Sequence, residues 1–155
     1  MFRIARKMII LCLIVILVLS GCSTKKLDFD MQNVVEALST KSYFGTDFYE
    51  VEGSALVQMY GIEVENVDAI GFAGSGGVAD ELSIFNVENE ADADTILQIA
   101  QDRIAERIEA YKSYKPDEVF KLEHAYVEKF GTFIVVGVCS DADAFKKDLD
   151  AVIYK

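Results

Sequence analysis

The chain has 155 residues, with 15 Lys+Arg against 26 Asp+Glu, a single His, a single Pro, three Cys and no Trp. This length fits one domain plus an appendage and excludes a two-domain solute-binding protein or a large multidomain enzyme. The acidic balance argues against nucleic acid as a partner, because phosphates need a basic surface.

The first segment, MFRIARKMIILCLIVILVLSGC, reads as an export signal. Arg3, Arg6 and Lys7 form a positive flank, and Met8 to Leu19 is an unbroken apolar run of 12 residues. That run is the size of a signal-peptide core and short of the about 20 residues a spanning helix needs. It ends in Leu19-Ser20-Gly21-Cys22, which resembles a bacterial lipobox. The resemblance implies a diacylglyceryl (palmitate-type) thioether on Cys22, cleavage after Gly21, and Cys22 as the first mature residue. The alternative is an uncleaved single-pass anchor. Either way the positive flank stays inside, and the expected location is the extracytoplasmic face of the cell membrane.

Residues 1–21 are thus assigned to a lipoprotein signal peptide, 22–27 to a short tether and 28–155 to one domain. The mature 134 residues carry 12 Lys+Arg against 26 Asp+Glu, a formal charge of −14. Such a charge argues against electrostatic attachment to anionic headgroups and leaves anchoring to the acyl chains. Cys12 is discarded and Cys22 carries lipid, so Cys139 remains alone and no internal disulfide is expected.

Along the domain, residues 28–40 predict a first helix capped by Asp30, with Met31, Val34, Val35 and Leu38 as its apolar stripe. Residues 43–50 are aromatic and irregular. Residues 53–60 predict a short helix, capped by Ser54 and ended by Gly61. The strands Val67–Ala73 and Glu81–Val87 flank the turn Gly74-Ser75-Gly76-Gly77. Residues 90–112 predict a long amphipathic helix with the stripe Ala93, Ile96, Leu97, Ala100, Ile104, Ile108 and Tyr111, and with Asn89 as cap. Pro116 opens a short helix to about residue 122. A tight hairpin follows, Ala125–Phe130 and Phe133–Val138 around Gly131-Thr132; its second strand is apolar on both faces and is expected to be central. Ser140 is expected to cap a last helix from about Asp141 to Ile153. The fold class is α+β: two β-hairpins in one antiparallel or mixed sheet, a long amphipathic helix between them, and a C-terminal helix packed on one face.

From about residue 45 to 153 the chain resembles the DUF4358 family of bacterial lipoprotein domains. The stretches that carry this are Ala79-Asp80-Glu81-Leu82-Ser83-Ile84-Phe85, Arg103-Ile104-Ala105-Glu106-Arg107, Tyr114-Lys115-Pro116-Asp117-Glu118, and Ala125-Tyr126-Val127 with Gly131-Thr132-Phe133-Ile134. The resemblance implies export and domain extent. It implies no substrate, cofactor or catalytic residue.

Each chemical candidate has a plainer explanation. His124 reads as a surface or turn residue, and Cys139, directly after an apolar strand, as a buried inert thiol rather than a nucleophile with His124 as base. Glu88, Glu90, Asp92 and Asp94 lack the spacing of a calcium loop and suit the N-terminal dipole of the long helix. Arg103 and Arg107 are expected to pair with Asp102 and Glu106 on the helix surface, with an anion clamp as the alternative. Tyr43, Phe44, Phe48, Tyr49 and Tyr60 read as core and lid packing rather than a binding groove. The loop Gly74, Ser75, Gly76, Gly77 is the expected partner or ligand contact. No catalytic set, no metal site and no cofactor is expected. The expectation is a lipid-anchored binding or accessory module for an envelope component, not an enzyme; the alternatives are a small-ligand sensor, needing a pocket of at least about 300 Å³, or a carboxylate-based hydrolase, needing two carboxylates buried together in a pocket with a raised pKa.

Overall fold

The computed structural model describes residues 26–155; the signal segment and Cys22 lie outside the described residues. The elements in order are α1 (Met31–Leu38), β1 (Phe48–Val51), α2 (Gly53–Tyr60), β2 (Asp68–Gly74), β3 (Glu81–Asn86), α3 (Glu90–Tyr114), a 3₁₀ turn (Pro116–Glu118), α4 (Val119–Glu123), β4 (Tyr126–Phe130), β5 (Phe133–Val138) and α5 (Ala142–Ile153). The five strands form one antiparallel sheet in the order β1-β2-β3-β5-β4. The class is therefore α+β.

The local determinants are visible at the helix ends. Asp30 accepts from Asn33 N–H at the start of α1, and Asn89 accepts from Asp92 N–H at the start of α3. Two expected caps are replaced by neighbours. Asp141, not Ser140, accepts from Ala144 N–H at the start of α5, while the Ser140 hydroxyl donates to the Tyr43 carbonyl at 2.9 Å. Glu52 occupies the N-cap position of α2, and Ser54 Oγ donates to its carboxylate at 2.8 Å. The aromatic stretch expected to be irregular contains the edge strand β1, paired to the far side of β2 through Phe48↔Gly74 and Val51↔Gly71.

The sheet is covered on both sides. β3 and β5 are buried along nearly their whole length, so both of their faces need a cover. On one face Phe85, Ile134, Val136 and Val138 pack with Leu56 and Tyr60 of α2 and with Ala93, Ile96, Ala100 and Ile104 of α3. On the other, Leu82, Ile84 and Val135 pack with Val34, Val35 and Leu38 of α1 and with Phe145, Leu149 and Ile153 of α5. The C-terminal helix thus takes one face and the long helix the opposite one. Gly137 makes the second packing possible: a Cβ there would lie 2.5 Å from the Phe145 ring.

The two ends of the sheet differ. One end holds the β4–β5 turn, the C-terminus of α5 and the chain's entry: Phe29 stacks on Phe133 with ring centroids 4.4 Å apart, and Leu27 bridges Tyr154. There Lys26 N–H donates to the Lys155 carbonyl at 2.9 Å, and Lys155 N–H to the Lys26 carbonyl at 3.2 Å. The other end holds the Gly74–Gly77 turn, the C-terminus of α3 and the N-terminus of α5. Among the described residues no helix is long and apolar enough to cross a membrane.

Candidate functional site

Glu81 opens β3 and points to the α3 side, like Ser83 and Phe85, since alternate strand residues share a face. It is only 2% exposed. α3 brings Arg103 and Arg107, one turn apart, onto one of its carboxylate oxygens at 2.9 and 2.7 Å. The other oxygen accepts from Ser83 Oγ at 2.9 Å and from the Tyr60 hydroxyl. Arg103 also lies over the Tyr60 ring, 4.3 Å from its centroid. Burial, and then the charge of Glu81, push the Tyr60 hydroxyl well above the ordinary tyrosine range, so it stays a donor. Arg103 and Arg107 are therefore neither helix-surface partners of Asp102 and Glu106 nor a vacant anion clamp. They hold a carboxylate of the chain itself. The reason is phase: Ile96, Ala100, Arg103, Arg107 and Tyr111 follow one another at spacings of four, three, four and four, which is a single inward-facing line on the helix.

A second buried carboxylate stands beside the first. Asp80 accepts from Gly45 N–H at 3.1 Å and pairs with Lys121 Nζ at 3.0 Å. Lys121 also pairs with Glu118 at 3.0 Å. Burial raises the Glu118 pKa, but Ala79 N–H and Lys121 outweigh it and hold the carboxyl below its usual range. Burial likewise lowers the Lys121 pKa, and the bonds to Glu118 and Asp80 carry it above the usual lysine range. Asp80 and Glu81 are thus not a carboxylate pair facing one shared cavity; each is held by its own cations.

Both nodes fasten the expected contact loop. Arg107 donates to the Ala79 carbonyl at 3.1 Å, Ala79 N–H donates to Glu118 at 2.8 Å, and Lys115 Nζ donates to the Gly76 carbonyl at 3.0 Å. Gly77 has φ +81°, and a Cβ there would meet the Tyr114 hydroxyl at 2.4 Å. Gly74, Ser75, Gly76 and Gly77 accordingly form a tight turn laced to the end of α3, with Gly76 open to solvent.

The remaining candidates fall into place around this frame. Tyr43, Phe44 and Tyr60 are buried, and Phe48 stacks on Phe44 with centroids 4.3 Å apart, so these four pack the core; Tyr49 faces solvent. Cys139 is a free, buried thiol, pushed up to about 11 by burial. His124 is exposed and bonds the Phe120 carbonyl through Nδ1 at 2.8 Å. The two share a cavity of about 160 Å³ with Phe120 and Asp141, but no hydrogen bond joins them. Asp94 pairs with Lys129 and Glu88 bonds Asn66, which separates the four acids read as a helix-end cluster; among the described residues no three His, Cys, Asp or Glu stand as a metal-binding group. Sequence reasoning missed the groove between α2 and α3, about 410 Å³, lined by Gln58, Met59, Tyr60, Ile99, Asp102 and Arg103 among others. Nothing local in the sequence marks it, because its walls, residues 58–61 and 99–106, come from two helices far apart along the chain.

Comparison with curated proteins gives no match, and comparison with solved structures gives none either. The family model described as a domain of unknown function, DUF4358, matches residues 30–139. The match begins at the cap of α1, earlier than the four stretches suggested, and ends at Cys139, before α5. It covers well over half of the chain and takes in both buried charge nodes, and the chain belongs to the DUF4358 family.

Proposed function

We propose that this protein is a lipid-anchored extracytoplasmic module that binds a component of the cell envelope. The observation that carries the reading is Leu19-Ser20-Gly21-Cys22 set directly behind a 12-residue apolar run with a positive flank. The fold supports it. Lys26, four residues beyond Cys22, is tied to Lys155 at one end of the sheet, so a tether of about 15 Å at most would hold that end at the bilayer. The chemistry of the domain supports binding over hydrolysis, since Asp80 and Glu81 both serve as anchors for neighbouring elements.

Replacing Cys22 tests the anchor. Cys22→Ala is expected to abolish incorporation of labelled fatty acid and to move the protein out of the membrane fraction. A variant that stays membrane-bound with an intact N-terminus would establish the uncleaved anchor instead. The groove between α2 and α3 favours a second reading, a small-ligand sensor, because its volume of about 410 Å³ falls in the range of small-molecule sites. A thermal-shift screen tests it, and stabilisation that disappears in Met59→Ala would support it.

A further inference from the structure

Among the described residues five large apolar or aromatic side chains are exposed, and the three most exposed of them, Tyr114 at 64%, Phe120 at 57% and Tyr49 at 53%, all belong to one end of the domain. Tyr114 closes α3 over Gly77. Phe120 stands in α4, just before β4 begins. Tyr49 pairs with Ala73 beside the Gly74 turn. This is the end opposite Lys26 and Lys155: β5 starts at Phe133, beside Phe29, and finishes at Val138. Six strand residues at about 3.3 Å each put the two ends roughly 20 Å apart.

The charges at the same end are mainly negative. Asp47, Asp117, Glu123 and Asp143 are exposed there, and none has an ion-pair partner among the described residues. Of the cations nearby, Lys121 holds Asp80 and Glu118 and Lys115 donates to Gly76, while Lys147, four residues on from Asp143, has no ion-pair partner among the described residues; the exposed carboxylates still outnumber it. Exposed aromatics among unpaired carboxylates suit a partner that brings positive charge and apolar surface together. The same carboxylates repel anionic headgroups, acidic wall polymers and a second copy of this end.

We infer that the end of the domain carrying Tyr49, Tyr114 and Phe120 is a docking surface for a positively charged segment of another envelope protein. This rests on the anchoring proposed above, which would hold the opposite end at the bilayer and turn this one outward.

The test is position-resolved photocrosslinking in native membranes. A photoreactive residue is placed at Tyr49, Tyr114 or Phe120, and at Leu27 as the tether-end control, in the full-length protein. Adducts to one protein are expected from the three outward sites and not from Leu27, and the joined partner peptides should be rich in Lys and Arg. Converting Asp47, Asp117 and Asp143 to Asn and Glu123 to Gln is expected to lower the yield about tenfold, as loss of steering would. A melting temperature close to that of the unmodified protein confirms that the variant is folded. Adducts from Leu27 alone, adducts to lipid, glycan or a second copy, a yield indifferent to the four carboxylates, or no adduct at all would overturn the inference. Fatty-acid labelling of Cys22 in the same membranes separates the two proposals: an unlabelled protein defeats lipid anchoring, whereas a labelled protein silent at the outward sites defeats the docking surface alone.

Discussion

Glu81→Gln keeps the shape of the buried side chain and removes its charge. In the native domain that charge faces two guanidiniums, at 2.9 and 2.7 Å, which are themselves only 16% and 17% exposed. Removing one member of a buried ion pair costs about 3–5 kcal/mol, because the remaining charge is left uncompensated. Here Arg103 borders the open groove beside α2 and regains some water, so the lower end of that range, about 3 kcal/mol, applies. Against a total of about 5–15 kcal/mol for a domain, that is a large fraction. In urea, with a slope of about 2 kcal/mol/M, the midpoint should fall by about 1.5 M. A combined variant, Glu81→Leu with Arg103→Met, Arg107→Met and Tyr60→Phe, removes the whole polar set and should recover to within about 1 kcal/mol of the parent, since buried ion triads are often replaceable by apolar residues. A loss below about 1 kcal/mol for Glu81→Gln alone would refute the argument. Glu81 would then not be what fastens β3 to α3, and its burial would need a functional explanation.

Gly77→Ala combines a left-handed φ with a Cβ 2.4 Å from the Tyr114 hydroxyl, whereas Gly76→Ala carries φ +64° with open space around it. The first should lower the melting temperature more than the second, whose cost is the backbone strain alone, about 1–2 kcal/mol. Cys139, pushed up to about 11 by burial, should react with a thiol reagent at pH 8 about two orders of magnitude more slowly in the native protein than after unfolding; equal rates would mean an open, ionised thiol. The Glu118–Lys121–Asp80 node predicts a pH window. Glu118 is lowered on folding, so its stabilisation is full above the ordinary carboxyl range and fades as pH falls through its depressed value. Lys121 is raised, so its share is full below the ordinary lysine range and fades as pH rises through its elevated value. Hydrogen exchange at Ala79 N–H, which donates to Glu118, should lose protection at the acid edge, and Glu118→Gln should abolish that acid dependence.

The elements with strong periodicity were legible in the sequence: α3, with its stripe from Ala93 to Tyr111, and β5, apolar on both faces, lie where their patterns place them. β1 was not. It is four residues long with only its ends half-buried, and its partner residues lie 20 to 26 positions further on, so nothing local marks it. The charge node was hidden for the same reason. Arg103 and Arg107 sit next to acids in sequence, but neighbours on a helix diverge by about 100°, and the carboxylate that receives them is 22 and 26 residues distant. The two-sided apolar pattern of β5 did carry the information that both faces of the sheet need a cover, because alternate residues of a strand cannot share one.

The reciprocal hydrogen bonds between Lys26 and Lys155 bring the two ends of the described chain within a peptide's reach. Such closure suits circular permutation, with a short linker from Lys155 to Lys26 and a new opening at Gly76, which is exposed and held by Lys115 alone. The permuted chain would keep every strand pairing of the sheet while moving its free ends to the opposite pole. For reporter fusions the same adjacency has a practical meaning: a label appended after Lys155 reports from beside Lys26, and one inserted at Gly76 reports from the far pole.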